Sequence, residues 1–197
     1  MKTGIDPKVD YAFKRLFGSE SNTPLLIDLL NAVLDPPPDQ RVVALEILNP
    51  FNDKDALDDK LSILDIKARD SLGRLYNVEM EMSSTAVFPD RVLYYWAVLH
   101  SGQLRAADPY EALRPTISIS FLDDVLFPSV PGFHSDFRLR GGHDPEVVFS
   151  PHIWFHLIEL PKFQKSPADL KDALDRWCYF LQHGDDLDKD ALPGNLT

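Results

Sequence analysis

Cysteine is nearly missing from this chain. Cys178 is the only one in 197 residues, which excludes an internal disulfide and suits a reducing cytoplasm. No apolar run approaches the roughly 18 residues that a membrane span requires, so a membrane partner is not expected. The opening MKTGIDPKVDYAF carries no apolar signal region. Positive charge is scarce: 20 Lys and Arg stand against 31 Asp and Glu, for a net charge of −11. That balance counts against strong non-specific binding to a polyanion, which scales with the number of phosphates neutralised. Bound cations or a local basic stripe would still allow it. The chain has no internal repeat, no Walker-type loop, no zinc-ligand motif and no Gly-rich dinucleotide fingerprint. His152 and His156 share one side of a strand-like stretch, but their four-residue spacing separates them by roughly 13 Å, too far for one Zn²⁺. His134 and His143 have no partner in sequence.

What is present suits a single folded domain. Hydrophobic residues make up 44% and aromatics 11%, enough for one core with room for little more. Residues 1–184 are expected to form that domain and 185–197, which begin Asp185-Asp-Leu-Asp-Lys-Asp190, a mobile acidic tail. A helix is predicted from Asp6-Pro7 to Gly18, with Val9, Phe13, Leu16 and Phe17 on one face. Thr23-Pro24 opens a second over Leu25–Leu34, which Asp35-Pro-Pro-Pro stops. Val42–Leu48 reads as a strand and the segment from Asn49 to Asp55 as a loop. A helix over Asp90–Ala106 carries Val92, Tyr95, Trp96 and Leu99 at helical spacing. PTISISFL at 115–122 alternates as a strand, and Phe133–Leu139 and Val147–Leu160 suggest a further hairpin. Ser166, as N-cap before Pro167, opens a last helix running to His183. On that helix Cys178 reads as packing, with no context for reactivity.

The informative stretch is Leu61–Met82, LSILDIKARDSLGRLYNVEMEM. Two apolar runs, Ser62–Ala68 and Leu75–Met82, flank a polar loop, Arg69–Arg74, whose Gly73 suits a positive-φ turn position. Asp65 lies inside the first run, and Glu79 and Glu81 inside the second. A carboxylate embedded in an apolar strand costs several kcal/mol unless it is paired or holds a metal. Alternate residues share a strand face, so Glu79 and Glu81 project together, as do Ile63, Asp65 and Lys67. A hairpin centred on Ser71–Gly73 sets Asp65 opposite Glu79. Two readings stand. Either the three carboxylates converge on one hard divalent cation such as Mg²⁺, or they line a solvated strand face with Lys67 as their partner.

These residues also resemble a known family. The D-x(13)-E-x-E pattern on consecutive strands is similar to the PD-(D/E)XK nuclease core, and the chain resembles the PD-(D/E)XK nuclease family transposases, or recombination-promoting nucleases. The matching pieces are DYAFKRLFG at 10–18, LLNAVL at 29–34, KLSILDIKA at 60–68 and YNVEME at 76–81. RVLYY at 91–95 with Gln103-Leu104, and LIELPKF at 157–163, complete a set that spans nearly the whole chain in order. The resemblance implies an α/β fold with a restriction-endonuclease-like core: a central mixed sheet flanked by helices. It implies metal-dependent cleavage of DNA phosphodiesters with Mg²⁺, or Mn²⁺, as cofactor. Asp65 matches the family's metal-binding Asp, and Glu79 its metal-binding Glu. Position 81 departs from the pattern. The superfamily has Lys there and this family commonly Gln, whereas this chain has Glu81.

A lysine at that position would help place the nucleophilic water and offset phosphate charge. Glu81 instead accepts a proton or adds a metal ligand, and it repels phosphate. Lys67 either supplies the missing cation or forms a salt bridge to Glu79 or Glu81. Asp10 is either an accessory acid near the metal, as the first-helix acid is in some PD-(D/E)XK enzymes, or a first-turn acid favoured by the helix dipole. Gln103 meets a phosphate or is a helix-surface amide. Tyr94, Tyr95 and Trp96 are read as core rather than as base-stacking groups. Lys8, Lys14, Arg15, Lys67, Arg69, Arg74 and Arg91 form a candidate basic stripe in the first half.

The leading expectation is a Mg²⁺-dependent DNA endonuclease of recombination or transposition, with Asp65, Glu79, Glu81 and Lys67 catalytic. The alternative is a catalytically impaired module that binds DNA or a protein partner. A metal-dependent hydrolase of small phosphate esters ranks behind both. Family members usually continue into further helices. The end at Thr197 reads as a truncated or short member, and the surface so left bare would suit a homodimer.

Overall fold

The computed structural model describes residues 4–48 and 65–186. Six strands form one mixed sheet in the order β1-β2-β3-β4-β6-β5. They are β1 (Leu45–Leu48), β2 (Ile66–Asp70), β3 (Leu75–Glu81), β4 (Thr116–Leu122), β5 (His134–Arg140) and β6 (Val148–Glu159). β1, β2 and β3 are antiparallel neighbours, β3, β4 and β6 run parallel, and β5 returns antiparallel on the far edge. Four helices flank it: α1 (Asp10–Phe17), α2 (Thr23–Leu34), α3 (Phe88–Ser101) and α4 (Ala173–His183). This is an α/β fold with a central mixed sheet, as expected.

Strand periodicity decides what each face buries. Tyr76, Val78 and Met80 of β3 and Ile117, Ile119 and Phe121 of β4 face the main core. There they meet Phe13 and Phe17 of α1, Leu26, Leu29 and Leu30 of α2, and Trp177 and Leu181 of α4. The other face is covered by α3. Phe88 and Val92 pack on Leu122 and Leu157, and Leu99 packs on Leu75. Both faces of β3 are therefore covered, and every β3 residue from Leu75 to Met80 is buried. A half-exposed strand was one reading of this segment, and the parallel pairing with β4 beneath α3 removes it.

The β2–β3 turn is held by Asp70. One carboxylate oxygen accepts from the Leu72 and Arg74 amides, both at 2.9 Å. The other accepts from the Tyr76 hydroxyl at 2.8 Å and pairs with Arg74. Gly73 sits at φ 80°, and a Cβ there would lie 3.2 Å from the Arg114 side chain.

Several boundaries differ from the sequence expectation: β1 starts at Leu45 rather than Val42, β2 runs on through Arg69 and Asp70, which were expected in the loop, and α3 spans Phe88–Ser101 rather than Asp90–Ala106. Asp6 and Pro7 make a turn, with the Asp6 carboxylate accepting from the Lys8 amide at 2.9 Å, so α1 starts only at Asp10. The last helix does not start after Ser166. Pro167–Asp169 is a single 3-10 turn, and α4 begins at Ala173, capped by Asp172, which accepts from the Asp175 amide at 2.8 Å. The cause is tertiary: the buried Asp175 carboxylate takes the Lys165 ammonium at 2.6 Å and the Lys171 amide at 2.8 Å, which fixes the break. Asp185, expected to open the tail, is buried, and its carbonyl accepts from the Gly4 amide at 3.1 Å. The rest of the tail, from 187, and the loop expected at 49–55 lie outside the described residues.

Candidate active site

β3 brings the carboxylates together. Ile66 pairs with Val78, and this register continues to Asp65 beside Glu79. Asp65 sits one residue before β2, where the ladder ends. Its Oδ2 accepts from the Met80 amide at 3.0 Å, beyond the last backbone pair. Its Oδ1 lies 3.2 Å from the Lys14 ammonium of α1. Glu79 is buried between neighbouring strands, and the Ser120 hydroxyl of β4 donates to its Oε1 at 2.7 Å. Glu81, at the strand's end, is paired with the Arg91 guanidinium of α3.

Burial dominates the proton affinities. It pushes the Glu79 carboxyl up to about 7 from an ordinary 4.5; Ser120 and Arg91 pull it down, while Asp65 and Glu81 push it further up. Burial also raises Asp65, against the Met80 amide and Lys14. For Lys14, burial works against the charge, but Asp10 and Asp65 outweigh it and the ammonium is raised. Glu79 is thus a carboxyl poised near neutral pH beside a second carboxyl, a condition concentrated at functional sites.

The donor set suits a hard cation in part. Asp65 and Glu79 supply carboxylate oxygens, and Mg²⁺ is commonly held by one or two carboxylates with waters and substrate phosphates. Among the described residues no three Asp, Glu, His or Cys groups are gathered as a metal cage. Glu81 is engaged by Arg91 rather than turned to the other two.

The remaining candidates fall at different distances from this centre. Asp10 binds the Lys14 ammonium at 2.7 Å, so it reaches the site through Lys14. Lys67 stands opposite Asn77, one rung along the same face from Asp65 and Glu79. Gln103 is not brought to the carboxylates. It bonds the Arg114 backbone, His100 and Thr116 at the rung of Leu75, four residues or roughly 13 Å along the strand from Glu79. Trp96 is core and donates to the Thr116 carbonyl at 2.9 Å, whereas Tyr94 is exposed. Cys178 is fully buried, and burial pushes its thiol up, as packing requires.

Two contacts were not foreseen. Lys14 appeared only as a member of a basic stripe, yet it touches Asp65. His134, without a partner in sequence, lies 3.0 Å from His156 across the β5–β6 pair. The basic stripe itself is largely neutralised: Lys8, Lys14, Arg69, Arg74 and Arg91 each pair with a carboxylate.

A family model described as PD-(D/E)XK nuclease family transposase matches residues 7–194. The chain belongs to that family. The match spans the sheet, all four helices and every residue of the carboxylate cluster. No curated protein and no solved structure matches the chain. No helix among the described residues is long and apolar enough to cross a membrane.

Proposed function

We propose that this protein is a metal-dependent DNA endonuclease acting in recombination or transposition, with Asp65 and Glu79 holding Mg²⁺ or Mn²⁺. The observation that carries the reading is Glu79. Its carboxyl is buried within the sheet beside Asp65, and it takes a hydrogen bond from the Ser120 hydroxyl. A cation held there would stabilise charge developing on the scissile phosphate. Asp65 is positioned by the Met80 amide and Glu79 by the Ser120 hydroxyl, and the second oxygen of Asp65 carries the Lys14 ammonium. Arg91 holds Glu81 at the strand end, where its carboxylate can accept a proton from an attacking water.

The test is calorimetric titration of Mg²⁺ and Mn²⁺ paired with plasmid nicking, on the wild type and Asp65→Ala. Binding and nicking should both be present in the wild type, and nicking should fall at least 10²-fold in the variant. Cleavage retained in a cleanly purified Asp65→Ala protein would sink the assignment.

A second reading rests on Glu81, the acid standing where the superfamily has Lys and committed to Arg91. In that case the chain is a catalytically impaired relative that binds DNA or a protein partner. Metal binding without nicking on any substrate would favour it.

A further inference from the structure

Among the described residues, Asp10, Asp65, Glu79 and Glu81 stand in one cluster with the Lys14 and Arg91 cations. Arg91 is committed to Glu81. Lys14 is placed differently. It projects from α1, which Phe13 and Phe17 anchor in the core, and its side chain is 37% exposed. Both Asp65 oxygens are in use: Oδ2 takes the Met80 amide and Oδ1 the Lys14 ammonium. The Met80 bond ties Oδ2 to the backbone of β3. A cation that approaches Oδ1 competes with the Lys14 ammonium for it.

We propose that Lys14 is an exchangeable counter-ion: its ammonium neutralises Asp65 in the metal-free protein and, displaced by the metal, binds a phosphate of the DNA. The inference rests on the metal-nuclease reading above and adds to it the residue that couples metal to substrate. Asp10, 2.7 Å from the ammonium and one helical turn away, keeps Lys14 at the mouth of the site after the exchange. A helix-borne cation thus stands where position 81 supplies none. The coupling is reciprocal: phosphate that holds Lys14 away from Asp65 tightens the metal, and metal that frees Lys14 tightens the phosphate.

The test uses the full chain and reads binding, not cleavage. Mn²⁺ is titrated by calorimetry into the wild type, Lys14→Met, Lys14→Arg and Arg15→Gln, with a thermal melt of each. Duplex binding is then followed by fluorescence anisotropy in Ca²⁺, which takes the same oxygen ligands. Without DNA, Lys14→Met should bind Mn²⁺ about three- to tenfold more tightly, because the competitor is gone. Lys14→Arg should stay near the wild type. Arg15→Gln removes the same charge from the same helix without touching Asp65 and should shift Mn²⁺ affinity less than twofold. In Ca²⁺, Lys14→Met should weaken duplex binding and reduce the slope of log affinity against log salt by about one. Unchanged or weaker Mn²⁺ binding in folded Lys14→Met overturns the exchange. The nuclease reading then still stands if the wild type binds metal and nicks DNA. A wild type that binds no metal overturns both.

Discussion

Glu79 is the residue on which stability and the proposed function pull in opposite directions. Its carboxyl is 7% exposed and titrates near 7 in the fold against 4.5 when free. The folded protein therefore holds the proton more tightly than the unfolded chain, and stability falls as pH rises through that window. The difference corresponds to roughly 3 kcal/mol against the ionised form. Glu79→Gln removes the ionisation and keeps an acceptor for Ser120. In chelator, its melting temperature should match the wild type at pH 5 and exceed it by several degrees at pH 8. Divalent metal should reverse the order at pH 8, because the cation stabilises only the ionised wild type. Equal melting at both pH values would show that Glu79 is not forced into a disfavoured charge.

At the scale of elements, the sequence held what local pattern encodes. The β2–β3 hairpin follows from two apolar runs around a Gly-containing turn, and its register sets Asp65 beside Glu79 because side-chain period and loop length leave little choice. Lys14 against Asp65, and His134 against His156, carried no signal, because nothing in their neighbouring residues marks contacts across 51 and 22 positions. The last helix shows how a strong local signal loses. Ser166-Pro167 is a good helix start, yet it yields only a 3-10 turn, since Asp175 is drawn to Lys165 and the Lys171 amide. The effective cap is Asp172. Asp172→Ala should cost about 1 kcal/mol in urea unfolding, and Ser166→Ala less than half of that, because its side chain makes no cap bond. The reverse ranking would place the start of α4 back at Ser166.

At the scale of the molecule, the charge of −11 has to be reconciled with the polyanionic substrate proposed above. The first-half basic residues do not offer a free stripe, since Lys8, Lys14, Arg69, Arg74 and Arg91 pair with carboxylates. Non-specific attraction to DNA is thus expected to be weak, and on the proposed reading the missing positive charge arrives with the cation. Duplex affinity should accordingly depend on divalent metal. In chelator at physiological salt, anisotropy should place the dissociation constant at or above about 100 µM, the weak end of non-specific binding. Ca²⁺ should tighten it at least tenfold, and Asp65→Ala should abolish that gain. A protein that bound duplex equally well with and without metal would instead be reading DNA through some other surface. The carboxylate cluster would then have no part in holding the substrate.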